Sequence, residues 1–259
     1  MATISFLGCG WLGFPLAQKL YKLGHRIKAS STDLEKCTLF QNEGFEFYLI
    51  DIYTLNQYKN LKDFFNTDIL IVTIPFRRNL EDPNVYAVAL EAICNKRPVQ
   101  HCLFTSSTSV YNPNQKLCDE KGSLHDSPRA QALIKTEQFF MEQMPIQNTV
   151  LRLGGLYGPG REPSRFLRGK KDLSNAKNPV NLVHLYDVVN ICIEVIQQKA
   201  WGYLLNVVSD NHPTREDFYK AEAERLGVDS PHFIEESSLG GKIVDNALLK
   251  RVLGVLLAN

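Results

Sequence analysis

Gly8-Cys9-Gly10-Trp11-Leu12-Gly13 is the sharpest chemical signal in the chain. This GxGxxG follows a short apolar run and opens an amphipathic one, the setting in which glycines cradle a pyrophosphate. Glycine keeps such a turn tight, admits a phosphate to the backbone, and lets the helix close on the strand. The helix N-terminus adds N–H donors and a partial positive charge. All six residues, Gly8, Cys9, Gly10, Trp11, Leu12 and Gly13, are therefore candidate ligands of a dinucleotide. About twenty residues further on, an acid would bond the ribose 2′-hydroxyl of NAD. Here the position reads Ala29-Ser30-Ser31-Thr32, and Asp33 comes late. Hydroxyls without an acid tolerate a 2′-phosphate, so NADP is favoured over NAD, with Ser30 and Ser31 as contacts. Thr32 reads instead as a helix cap. A third signal is the loop from Arg161 to Lys171, with five positive charges to one negative in a chain of net charge +1. It fits a solvated surface or an anion such as a nucleotide-sugar phosphate, with Arg161 and Arg165 as bidentate donors.

The elements around these residues alternate. Thr3–Leu7 reads as a strand and Trp11–Leu23 as a helix with Leu12, Leu16, Leu20 and Leu23 on one face. Arg26–Ala29 is a second strand, and Thr32 with Glu35 forms a capping box for the next helix. Phe45–Ile50 is a strand, Leu55–Phe65 a helix, Asp68–Ile74 a buried strand, Asn84–Cys94 a helix and His101–Thr105 a strand. Ser127-Pro128 caps a helix that buries Leu133, Ile134, Phe140 and Met144, and Thr149–Leu153 follows as a strand. Such alternation predicts an α/β fold of Rossmann type, a doubly wound parallel sheet. Beyond it the pattern loosens over Gly154–Pro179. Tyr186–Gln198 then reads as a helix, Leu204–Val208 as a strand, Pro213–Leu226 as a helix and Ala247–Leu253 as a short helix. The expected organisation is a dinucleotide-binding core over residues 1–153 and a small, partly interleaved C-terminal α/β region over 154–259. Part of that region, 181–210, returns to the core.

Three further blocks, Phe104–Tyr111, Leu151–Gly160 and Asn181–Val189, occur in an order and spacing that resembles the extended short-chain dehydrogenase/reductase superfamily. More narrowly the chain is similar to the NAD-dependent epimerase/dehydratase family, and within it to the YeeZ-like group. The resemblance covers roughly residues 3 to 250. It implies that Ser107 orients the substrate beside the nicotinamide, that Asp51 and Ile52 lie against the adenine, and that Thr73 and Pro75 pass along the cofactor. It implies a substrate near the basic loop, with His184 at the edge of that cleft. Arg152, Tyr157 and Tyr111 read as structural. The sequence departs from the family in two places. Leu7 stands at its first glycine position, and its YxxxK pair is missing. The nearest frame has Gln131 and Lys135, while a frame shifted onto Glu137 puts Arg129 and Leu133 there. Tyrosine supplies the proton that accompanies hydride transfer, a step worth about 10²–10⁴ in rate, and neither Gln nor Arg can supply it at neutral pH.

The expected function is therefore an NAD(P)-binding protein of this family, either an atypical oxidoreductase or sugar-nucleotide epimerase/dehydratase, or a non-catalytic NADP(H) sensor or scaffold. Phe6–Ala17 is also similar to the β-hydroxyacid dehydrogenases, but their second half is all-helical, unlike the reading here. Composition narrows the rest. The chain has 259 residues, 44% hydrophobic and 22% charged, with 29 Lys and Arg against 28 Asp and Glu. That is soluble globular usage, with no electrostatic case for nucleic acid or membrane as partner. The six cysteines form no CxxC and the six histidines no HExxH, so no metal site is expected. Free thiols and the lack of a basic leader or long apolar run predict a cytoplasmic protein.

Overall fold

The computed structural model describes residues 1–54, 61–77, 79–95, 97–144, 146–234 and 240–257. Its strands are β1 (Thr3–Leu7), β2 (Arg26–Ser31), β3 (Glu46–Leu49), β4 (Thr67–Val72), β5 (Val99–Ser107), β6 (Leu117–Cys118), β7 (Asn148–Leu153), β8 (Gly155–Tyr157), β9 (Leu182–His184), β10 (Leu204–Val207) and β11 (Ile243–Val244). Its helices are α1 (Gly13–Lys22), α2 (Lys36–Asn42), α3 (Leu61–Phe64), α4 (Asn84–Cys94), α5 (Pro128–Gln138), α6 (Pro163–Leu167), α7 (Leu185–Gln197), α8 (Arg215–Leu226) and α9 (Ala247–Leu253). Seven strands form one sheet in the order β3-β2-β1-β4-β5-β7-β10. The pairs β1/β2, β2/β3, β1/β4 and β4/β5 are all parallel. This is the expected α/β architecture, with the order reversing between β1 and β4, where such sheets open a crevice beyond the strands' carboxyl ends.

Two compact units divide the chain. The first comprises residues 1–106, 126–151 and 189–204, the second residues 107–125, 152–188 and 205–259. In the first, helices on both faces leave the strands almost wholly apolar: Ile4, Phe6, Ile27, Ala29, Leu70, Ile71, Val72, Leu103 and Phe104 are buried, as a doubly covered sheet requires. Leu16 and Leu20 of α1 are fully buried against it, each contributing roughly 1.5–3 kcal/mol. Ser127 caps α5 by accepting the Ala130 N–H, with Pro128 in the first turn. In the second unit, Thr214 caps α8 through the Asp217 N–H, and Gly227 ends it in the left-handed conformation, a geometry glycine adopts without strain.

Several local expectations are corrected. α1 stops at Lys22 and Leu23 is exposed, so the helix buries three leucines of the four. No capping box forms at Thr32. Asp33 builds the turn instead, its Oδ1 accepting the Glu35 N–H at 2.9 Å, and α2 starts at Lys36 without a side-chain cap. β2 runs on through Ser31, because its pairing with β3 continues to Ser31, and β5 runs on through Ser107. The loose stretch after β7 contains β8 and α6. Residues 55–60 of the expected Leu55–Phe65 helix lie outside the described residues; Leu61–Phe64 is helical.

Candidate functional site

The turn between β1 and α1 is held from three sides within the first unit. The Cys9 N–H donates to Ser30 O at 2.8 Å, and the Gly8 N–H donates to Ser30 Oγ at 2.9 Å. The Thr73 hydroxyl donates to Gly8 O at 2.7 Å. Ser30 is buried, so its hydroxyl holds the turn in place of facing a ribose. Gly8 has φ +95°, and a Cβ there would stand 2.7 Å from Ile74 Cγ1. At Gly13 a Cβ would lie 3.0 Å from both Gly8 O and Thr73 Oγ1, so this glycine permits the close helix–strand packing. Gly10 differs: a Cβ there would meet only Gly8 O, at 4.0 Å. The space over Gly10 is open, and Leu12, the N-cap residue of α1, offers no side-chain cap. A backbone open to close approach, at a helix N-terminus, suits a pyrophosphate. Cys9 and Leu12 are buried beneath the turn and Trp11 is half-buried. Burial, opposed by the charge of Lys36, pushes the Cys9 thiol up to about 12, so it is no nucleophile.

The neighbouring loops carry the other expected contacts. Ser31 is buried, its Oγ accepting the Asp33 N–H at 3.1 Å. Asp51 accepts the Tyr53 N–H at 3.0 Å and stands 3.8 Å from Arg77, whose guanidinium lies 4.6 Å over the Tyr53 ring. Ile52 is buried and Pro75 exposed. The Gln131/Lys135 frame is corrected. Both side chains are exposed, while Ala130, Ala132, Leu133, Ile134, Thr136 and Glu137 are buried. On the buried side of α5, Glu137 accepts the Ser106 hydroxyl at 2.5 Å. Spacing alone had aligned a glutamine and a lysine with YxxxK, but a helix turns positions 131 and 135 to the same face, here the wet one. Arg129, half-buried, has its guanidinium 5.1 Å from the Phe76 ring.

In the second unit, Ser107 caps a 3₁₀ turn, Thr108–Val110, its Oγ accepting the Ser109 N–H at 3.1 Å. That bond leaves the hydroxyl proton available to donate. Lys242 pins the same turn, donating to Thr108 O at 2.9 Å and Tyr111 O at 2.8 Å; burial lowers its pKa, with Cys118 opposing. Behind the turn, the Tyr111 hydroxyl donates to Asn206 Oδ1 at 2.6 Å and accepts from Arg152 at 2.8 Å. Glu120 accepts the Asn206 N–H at 2.9 Å. Burial raises the Glu120 carboxyl and carries the Tyr111 phenol up to about 12 despite Arg152. His184 accepts the Tyr186 N–H at Nδ1, 3.3 Å, and packs edge-on to Tyr157 at 5.1 Å. Arg161 and Arg165 are exposed, Arg165 lying 3.3 Å from Glu162. Lys242 and the Glu137 register gave no sequence signal beyond a lone charge each.

A parallel sheet with a glycine turn at its switch point defines a Rossmann-type dinucleotide fold. Solved structures share it at low identity. MoeE5 in complex with UDP-glucuronic acid and NAD has a TM-score of 0.79 at 17% identity, covering 100% of this chain and 94% of that one. UDP-glucose 4-epimerase from Thermotoga maritima, with UDP-glucose, has 0.77 at 20%, covering 98% and 93%. No family model matches the chain. It is 30% identical to Protein YeeZ of Escherichia coli (strain K12), over 98% of this chain and 95% of that protein. The chain belongs to the YeeZ family.

Proposed function

We propose that this protein binds a nicotinamide dinucleotide over the Gly8–Gly13 turn, NADPH at least as tightly as NADH, and acts on a small phosphorylated or sugar-nucleotide ligand. Gly10 carries the reading. Among the three glycines of the turn, it alone has no atom of the protein closer than 4.0 Å to where a Cβ would stand, as close approach of a pyrophosphate demands. The ligands named for MoeE5 and the Thermotoga maritima epimerase support the same class. Ser107 would orient the second ligand by donating its hydroxyl proton, with Arg161, Arg165 and His184 as further contacts. Calorimetry with NADPH and NADH tests the reading. Micromolar binding in the wild type that is lost in a folded Gly10→Val variant supports it, and unchanged affinity in that variant overturns it. A non-catalytic sensor is the second reading, favoured by the exposure of Gln131 and Lys135. Tight binding without oxidation of NAD(P)H across carbonyl and sugar-nucleotide substrates would select it.

A further inference from the structure

We propose that Arg77 is a latch across the dinucleotide crevice, closed against Tyr53 and Asp51, and that its opening sets how fast the cofactor enters and leaves. The inference rests on the dinucleotide reading above. All three residues belong to the first unit. Asp51 and Tyr53 follow β3, Arg77 follows β4, and the sheet runs β3-β2-β1-β4. Three strand spacings, about 14 Å, therefore separate β3 from β4. Yet the Arg77 guanidinium lies 4.6 Å over the Tyr53 ring and 3.8 Å from the Asp51 carboxylate. The two loops close that gap only by leaning across the carboxyl ends of β1 and β2. At those ends stand the Gly8–Gly13 turn and Ser31, the crevice in which such a sheet takes its ligand.

The two sides of the latch are built differently. The loop after β3 is a formed turn, Asp51 accepting the Tyr53 N–H at Oδ1, 3.0 Å, and the Thr54 N–H at its carbonyl, 3.1 Å. The loop after β4 is tied at its root. There the Thr73 hydroxyl donates to Gly8 O at 2.7 Å and the Tyr86 hydroxyl to Ile74 O at 2.9 Å. Arg77 stands beyond both ties, its side chain 46% exposed. One ring contact and one ion pair too long for a hydrogen bond hold it closed. Together such contacts favour the closed form by about three- to thirtyfold, so the open form is a minor state within easy reach. The closed form also carries a cost. Tyr53 Oη is buried and makes no hydrogen bond among the described residues, a loss that water relieves once the guanidinium lifts from the ring.

A latch that opens equally in the free and the bound protein scales both rates by its open fraction and leaves the affinity alone. The test is stopped-flow association and dissociation of NADPH, followed by its own fluorescence, in the wild type, Arg77→Met, Tyr53→Leu and the double variant. Arg77→Met should raise both rate constants by about three- to thirtyfold and move the dissociation constant by less than either. Tyr53→Leu, which spares the ion pair, should raise both by a smaller factor, and the double variant should be no faster than Arg77→Met. A faster dissociation alone, with affinity lost by the same factor, would make Arg77 an ordinary ligand contact and overturns the latch. So do unchanged rates, or effects that simply multiply in the double variant. In each of these cases the cofactor reading stands. If the wild type binds neither NADPH nor NADH, the cofactor reading itself falls and takes this inference with it.

Discussion

Gly8, Gly10 and Gly13 share one turn and are glycine for three different reasons, so their substitutions should separate. Gly8→Ala meets both a positive φ and the Ile74 side chain, and should cost on the order of 1–3 kcal/mol of stability. Gly10→Val meets neither, and should leave the melting temperature nearly unchanged while abolishing dinucleotide binding; thermal melts beside calorimetry decide it. A second residue-scale prediction concerns Asp210. Burial alone would raise its carboxyl, but hydrogen bonds from Asn246 at 2.7 Å and Lys250 at 2.6 Å, with the charges of Lys250 and His212, hold it below the ordinary 3.8. A folded-state value below the unfolded one stabilises above that ordinary pH and is lost as pH falls through the folded value. Asp210→Asn should therefore lower the melting temperature at neutral pH, and the gap should close in acid. What the sequence conceals at this scale is the fate of each polar atom. Ser30 reads as a ribose contact because of its place in the strand, yet its hydroxyl serves the Gly8 N–H. Lys28 sits in an exposed register by type, yet is buried, its ammonium donating to Asp63 O and to Asn66 O at 3.1 Å. Tyr111, Arg152 and Asn206 are 41 and 95 residues apart in pairs, and no local pattern couples them.

Helices with strong local signals were legible nearly to the residue. Asn84–Cys94 and Ala247–Leu253 match their expected bounds, and Ser127-Pro128 starts α5 as its cap chemistry implies. Strand ends were less so, since β2 is extended by pairing with β3 and not by its own apolar residues. The rotation of a helix is harder still, because α5 carries polar residues around much of its surface, and Glu137, which bonds Ser106, is buried on the same face as Ala130, Leu133 and Ile134. That bond predicts two contrasting outcomes. Gln131→Tyr should change neither stability nor any carbonyl-reductase background, since a phenol at 131 stands in solvent; a measurable gain in NADPH oxidation would refute the assigned register. Glu137→Ala should destabilise by about 1–3 kcal/mol, because it leaves the buried Ser106 hydroxyl without its acceptor. Denaturant titration at constant slope would register that loss.

Between them the two units take the chain in six segments, 1–106, 107–125, 126–151, 152–188, 189–204 and 205–259, alternately. Neither unit is a contiguous stretch, and no described helix is long and apolar enough to cross a membrane. The first unit is completed by a segment that lies far along the chain. Lys19 donates to Asn190 at 2.9 Å, Thr149 Oγ1 donates to Ala200 O at 2.7 Å, and the Gly202 N–H donates to Asn148 O at 3.0 Å. Asn148 and Thr149 are buried, so removing 189–204 would strip partners from polar groups that stay out of water, at about 1–3 kcal/mol each. Val195 and Ile191, buried on α7, would leave apolar surface of the sheet uncovered as well. A cut at residue 153 therefore encloses neither unit whole and is not expected to yield a piece that folds alone. Residues 1–153 expressed by themselves should lack a cooperative thermal transition, expose hydrophobic surface to a dye such as ANS, and fail to bind NADPH. The full chain should melt in one transition, raised by NADPH. At a hundredfold excess over the dissociation constant the gain is about 2.7 kcal/mol, or roughly 5–10 °C for a chain of this length. A folded, NADPH-binding 1–153 fragment would show instead that the returning segment is dispensable, and that the nucleotide half carries enough buried surface to stand without it.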